Sequence, residues 1–365
     1  MKKDLKEIAK LFFKLGAISF GGPAAHISLM EREVVQKRKW ISEQHFLDLI
    51  GATNIIPGPN STEMTMHCGH EKAGWRGLFV AGATFIIPAV LITMLFSWFY
   101  KEYSYLPNVE KFIYGIKPAV ISIMIMSLIS LGKKALKTKQ LIIIGSLSFI
   151  SCLFGLNEIS AIFISGVIGL LLYLFKKNKN GMFTFIPMFS ISISSLKTFW
   201  VFLKIGSLLY GGGYVLFAFL DAELVSEGII SRTDLINAVA VGQFTPGPIL
   251  STATFIGWQI GGFFGALAAT LGIFLPSFIF VLLLNPIVPK LRKSKSISSF
   301  LDAVSVAAVS IILVVLVRMV GDVITDWKSI LIALISLILA LKFKKLNSAI
   351  IVIGGAFLGY LLAFI

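Results

Sequence analysis

The triplet Pro57-Gly58-Pro59 returns as Pro246-Gly247-Pro248, and each copy interrupts a strongly apolar stretch. Proline cannot continue a helix, and glycine admits torsions closed to other residues, so the chain has to break at both places. The copies lie 189 residues apart, from 57 to 246, and their surroundings repeat with them. Phe13-Lys14-Leu15-Gly16 followed by Phe20-Gly21-Gly22 reappears as Leu203-Lys204-Ile205-Gly206 followed by Tyr210-Gly211-Gly212. Glu33 matches Glu223, Ser42 matches Ser231, and Gly77, Pro88 and Phe112 match Gly265, Pro276 and Phe300. Such a drift of two residues is what a duplicated unit with small deletions produces. Helix breaks in matching places of two halves point to a transporter binding site.

Composition places this duplicated unit in a membrane. Hydrophobic residues make up 56%, charged residues 14%, and mean hydropathy is +0.89, whereas a soluble domain carries about 25% charge. The net charge of +15 sits in short clusters between apolar runs. That pattern suits topology-setting loops and a lipid bilayer, not nucleic acid. Cys68 and Cys152 offer no disulfide framework. The start of the chain lacks the pattern of a signal peptide, because Asp4, Glu7 and Lys14 interrupt it.

Four clear spans are expected in each half: Trp75–Phe99, Phe112–Leu131, Leu141–Leu156 and Ile159–Phe175, then Phe263–Leu284, Phe300–Val320, Ser329–Leu341 and Ser348–Phe364. The expected units are an N-terminal repeat over 1–175, a linker over 176–197 and a C-terminal repeat over 198–365. Loop charge sets their orientation. Lys133, Lys134, Lys137 and Lys139 make one first-half loop basic, while its counterpart carries Asp322 and Asp326. The next pair reverses, with Lys290, Arg292, Lys293 and Lys295 in the second half. Basic loops stay cytoplasmic, so the halves read as inverted. The expected fold is an all-α polytopic membrane protein: two inverted repeats of about five spans each, with broken helices and re-entrant hairpins. In this reading a broken helix from Ile8 to Gln36 supplies the fifth crossing, and residues 43–72 dip in and return. The lysines at 2, 3, 6 and 10 disagree with that first crossing, because they favour the cytoplasmic side.

Both triplets are followed by helix-start chemistry: Asn60, Ser61 and Thr62 in one half, Ser251 and Thr252 in the other. A helix N-terminus presents unpaired N–H groups and a positive dipole end, which suits an anion. Gly21-Gly22 and Gly211-Gly212 create two more starts, and inversion brings all four toward the midplane. Broken backbone is tolerated there when buried or lining a cavity. The geometry favours a compact, oxygen-rich anion.

The runs Phe20-Gly21-Gly22-Pro23-Ala24-Ala25-His26, Asp48-Leu49-Ile50-Gly51-Ala52-Thr53-Asn54 and Ile56-Pro57-Gly58-Pro59-Asn60-Ser61-Thr62-Glu63 resemble the chromate ion transporter family. So do Gly242-Gln243-Phe244-Thr245-Pro246-Gly247-Pro248 and Tyr210-Gly211-Gly212-Gly213. The resemblance covers both halves and is to the fused, two-domain type. It implies a multi-pass carrier of the cytoplasmic (inner) membrane and chromate export, hence chromate resistance. Sulfate, alike in charge and shape, is the natural competitor. The implied substrate site adds Asn54 and Gln243 to the residues around the two triplets.

The ionisable residues divide into functional and structural candidates. Glu63 lies one turn past the first triplet, where protonation would couple to transport or where the acid simply complements the helix dipole. Lys14 and Lys204 either draw an anion inward or snorkel at helix ends. His26 either lines the cavity or is a satisfied interior histidine. Glu33 and Glu223 suit loop-anchoring ion pairs, Asp48 and Asn237 suit hairpin hydrogen bonds, and Arg76 and Arg318 read as interfacial. Glu63, His67 and His70 lack a metal signature, and no cofactor or nucleotide motif is expected. A secondary carrier and an anion channel on the same scaffold remain the two functional classes, with an enzyme a distant third. One fused chain supplies both halves; a homodimer stays open.

Overall fold

The computed structural model describes residues 2–20, 22–53, 56–177, 195–210, 213–284, 294–343 and 346–364. Most of the expected linker, residues 178–194, lies outside them, as do Lys290, Arg292 and Lys293. The first half holds α1 (Lys2–Ile18), α2 (Gly22–Glu31), α3 (Glu43–Thr53), α4 (Asn60–Tyr103), α5 (Pro107–Ala135), α6 (Lys139–Leu153) and α7 (Glu158–Lys177). The second holds α8 (Ser195–Leu208), α9 (Val215–Leu220), α10 (Arg232–Phe244), α11 (Thr252–Leu284), α12 (Lys295–Val323), α13 (Trp327–Lys342) and α14 (Ser348–Leu362). The π-helical turns Arg32–Lys37 and Asp221–Val225 extend α2 and α9, and a 3-10 turn, Ile249–Ser251, leads into α11.

At 44 residues, α4 would run about 66 Å if straight, roughly twice a bilayer core. It breaks instead at Ala73 (φ −147°) and Gly74 (φ 63°, ψ −154°). The matching break in α11 falls at Gly261 (φ −143°) and Gly262 (φ 60°, ψ −146°). Torsions like those of Gly74 and Gly262 are almost confined to glycine. At each break the two arms double back, with Gly69 against Gly77 and Gly257 against Gly265. The Thr254 and Thr270 hydroxyls join the arms of α11 at 2.8 Å. Residues 60–72 therefore return alongside α3, and His45 meets Glu71 at the mouth of this hairpin, 3.2 Å apart. The expected re-entrant segment over 43–72 has this form.

The first broken helix departs from expectation. Instead of crossing, α1 descends, the chain turns after Ile18, and α2 returns to the starting face. Glu7 reaches Arg38 at 3.6 Å, Asp4 reaches Lys72 at 3.8 Å, and Phe12 packs on Trp40 with ring centroids 6.5 Å apart. The N-terminal lysines thus gather with Lys37, Arg38 and Lys39 on one face. This arrangement removes the conflict that a crossing would have created.

Helix direction carries the inversion. The α6–α7 hairpin is tied by Ser148 and Ser165 at 2.7 Å, so α5 and α7 run the same way. Along α5, Tyr114 bonds Asp326 (2.5 Å) and Ser122 bonds the carbonyl of Ala333 (2.8 Å), which makes α13 parallel to α5. By contrast, Lys111 lies over Phe364, Phe112 stacks on Tyr360, and Gly115 meets Gly359 and Gly355, so α14 is antiparallel to α5. Since α14 is the repeat-mate of α7, the halves are opposed. Glycine contacts let these backbones approach closely. At the rim, Asp326 caps α13 and accepts the Tyr114 hydroxyl, and these bonds hold its carboxyl below the usual range. The outer faces expose Leu91, Leu95, Ile143, Leu147, Leu271 and Ile338, a surface suited to lipid. The protein is an all-α polytopic membrane protein built from two inverted repeats.

Candidate functional site

Each proline–glycine–proline tip is buried and docks onto the broken first helix of the other repeat. The Gly58 N–H donates to Leu209 O at 2.8 Å, and the Gly247 N–H donates to Ser19 O at 2.8 Å. Ser19 and Leu209 are themselves repeat-mates, 190 residues apart. The exchange ties each tip to the first-helix break of the other repeat. Gly58 (φ 144°) and Gly247 (φ 92°) have torsions that disfavour any side chain. Space is also short: a methyl at Gly58 would strike Glu63 and Ser277, and one at Gly247 would meet Ala89 and the carbonyl of Gly16.

The helices restart directly from the tips, with Pro59 and Pro248 in the cap positions and no side-chain cap at either. Asn60, Ser61 and Thr62 therefore stand inside the first turn and do not cap it. Six buried polar atoms around the tips have no hydrogen-bond partner among the described residues: Ser19 Oγ, His26 Nδ1, Thr62 Oγ1, Glu63 Oε2, Gln243 Nε2 and Ser251 Oγ. Orphaned buried polar groups are costly, and native proteins keep few of them. Unpartnered groups of this kind are what a polar ligand would satisfy. His26 is held by its other nitrogen on Ser19 O, 3.1 Å away, and by an edge contact to Phe85. Thr252 is engaged instead, donating to Ile249 O at 2.7 Å. Ser61 is buried and Asn60 half-buried. Gly22 starts α2, while Gly21, Asn54, Gly211 and Gly212 lie outside the described residues.

The tips differ in their neighbours. Beside Pro57-Gly58-Pro59 stand Glu63, Ser277 and, within electrostatic range of Glu63, Tyr210. The positions matching them by the repeat offset are Thr252, Ala89 and Phe20. Ser277 was not singled out from the sequence, and Tyr210 entered it only as part of the Tyr210-Gly211-Gly212 repeat motif. Lining the two halves up at Pro88 and Pro276 would have exposed the Ala89–Ser277 contrast.

The chromate transporter family model matches this chain twice, over residues 6–170 and 196–360. The chain belongs to that family. A probable chromate transport protein of Synechococcus elongatus is 29% identical, with 98% of this chain and 95% of the relative aligned. A chromate transport protein of Cupriavidus metallidurans is 28% identical over 97% of this chain and 92% of its own length. An uncharacterized transporter of Methanocaldococcus jannaschii is 27% identical over 96% and 92%. No solved structure matches.

In this family member the two matched lysines do not share a role. Lys14 is exposed, whereas Lys204 is neutralised by Glu223, 2.8 and 2.9 Å away. Glu33 pairs with Lys37 at 2.7 Å and with Arg38, and Asn237 donates to the Tyr100 hydroxyl at 2.7 Å. Arg318 is not the interfacial residue expected. It bridges Glu158 and the fully buried Asp221, at 3.0 Å each, while Arg232 holds the other Asp221 oxygen at 3.2 Å. Arg232 also reaches Asp322 at 3.1 Å. This network ties α7, α9, α10 and α12 together at one end of the molecule. Its one sequence signal was an aspartate closing the apolar run Val215–Leu220.

Proposed function

We propose that this chain is a secondary carrier that exports chromate or a similar tetrahedral oxyanion across the cytoplasmic membrane. The observation that carries the reading is the cluster of unpartnered polar atoms at two uncapped helix starts. Thr62 and Ser251 offer hydroxyl donors and Gln243 an amide, while His26, whose Nε2–H donates to Ser19 O, turns an accepting Nδ1 toward the site. The amides of Gly58 and Gly247 are engaged across the repeats, and those of Thr62, Glu63 and Ser251 donate to the carbonyls of Pro59 and Pro248, so the donors narrow to the remaining first-turn N–H groups and the Thr62, Ser251 and Gln243 side chains. Each helix terminus contributes about 0.3–1 kcal/mol when exposed and up to about 2 when partly buried. Hydrogen bonds to a charged ligand add about 1.5–3 kcal/mol apiece. Together they offset a useful part of dianion dehydration without a full-charge partner.

The names of the Synechococcus and Cupriavidus relatives support chromate as the substrate. Repeats over 1–175 and 198–365, joined by 176–197, are the units of the proposed alternating access. Everted membrane vesicles test the reading. The expected result is saturable chromate uptake, inhibited by sulfate more than by chloride. Fast, non-saturating flux would favour an anion channel on this scaffold, and preferred sulfate uptake would reassign the substrate.

A further inference from the structure

The two tips share a backbone but not a chemistry, and the difference is a carboxyl group. Glu63 is fully buried. Its Oε1 receives a long hydrogen bond from Ser277 Oγ, 3.5 Å, and its Oε2 has no partner. Among the described residues no lysine or arginine forms an ion pair with it. Of the titratable groups near it, Tyr210 faces it from the end of α8, and His67 stands one turn further along the same helix. From α11 it meets the neutral Ser277. A buried carboxylate without a cation is strongly disfavoured. A dianion settling at Thr62, the preceding residue, repels that carboxylate further.

We propose that Glu63 is a proton-binding site of the transport cycle. The Glu63 carboxylate is ionised while the unloaded site is open to water, takes up one proton as the oxyanion settles and the site closes over both, and the O–H bond formed on loading breaks when the site reopens and the anion leaves. Anion and proton therefore travel together, reducing the net charge moved by one. The second tip, with Thr252 in the matching place, carries no counterpart. The proposal rests on the carrier reading above. By linkage, the anion binds more tightly as pH falls, because the loaded protein holds more protons.

The test uses the purified full-length protein in weak buffer, at a pH where chromate is already the dianion. Proton uptake and bound chromate are read in the same sample at saturating chromate. The expected result is about one proton per chromate for the wild-type protein, none for Glu63→Gln, and uptake retained in Glu63→Asp. Wild-type protein that binds chromate without proton uptake overturns the proposal, as does undiminished uptake in Glu63→Gln. If Glu63→Gln does not fold, Ser277→Ala decides. Loss of the hydrogen-bond donor should move the pH midpoint of uptake upward, and an unmoved midpoint overturns the assignment to Glu63. Wild-type protein that binds neither chromate nor sulfate overturns the oxyanion reading instead.

Discussion

The first tip meets an acid, a serine and a tyrosine; the second has a threonine, an alanine and a phenylalanine in the matching positions. Yet the cross-repeat bond is the same, 2.8 Å from a tip glycine to a first-helix carbonyl in both cases. Duplication has preserved the backbone device while the side chains around it diverged. The lesson is a division of labour. Both tips hold the scaffold and present donors, and one of them adds a titratable group.

The strongest way to break this comparison is to disable one tip at a time. Gly58→Ala and Gly247→Ala each force a methyl into occupied space at a torsion that disfavours side chains. Each should reduce vesicle uptake of chromate by more than about tenfold, since strain of about 1–3 kcal/mol falls on the site itself. Transport that survives Gly247→Ala but not Gly58→Ala would mean that the second tip is only a turn. Hydroxyl deletion gives the next largest effect. Ser61→Ala with Thr62→Ala, and separately Ser251→Ala, should each weaken chromate binding by roughly tenfold or more, as expected for hydrogen bonds to a charged group. Equal losses sharpen the two-tip account; unchanged affinity in both removes the hydroxyls from it.

Smaller effects are expected away from the site. Gly74→Ala and Gly262→Ala leave open space around the new methyl, so they should cost about 1–3 kcal/mol of stability through backbone strain alone. Thermal unfolding in detergent should show similar losses for both. A large difference would mean that the two hairpins do not depend equally on their breaks. Sidedness should leave transport unaltered. Cysteines replacing Ala135 and Ile324 should label from opposite faces, and an N-terminal tag should share the face of Lys39. Labelling of 135 and 324 from one face would contradict the inversion.

Much of this was legible in the sequence because proline and glycine act locally. The paired triplets predicted the tips, and the hairpin over 43–72 with a span from Trp75 bracketed the break at Ala73 and Gly74. The return of α2 was less legible. An apolar run over residues 8–36 is long enough to cross, and only the lysines at 2, 3, 6 and 10 argued otherwise. The partners of Glu63 and Arg318 were out of reach, because each contact spans 97 to 214 residues of chain. Such pairings depend on tertiary packing, to which hydrophobic periodicity and loop charge are blind.

The central claim is that the oxyanion sits between the two tips. An anomalous chromium map from crystals of the full-length protein soaked in chromate tests it most directly. The account predicts one peak placed so that the chromate oxygens around it reach hydrogen-bond distance of Thr62 and Ser251, near Gln243 and His26. A peak confined to the basic surface around Lys37 and Arg38, or to the Arg318 network, with none between the tips, would contradict it.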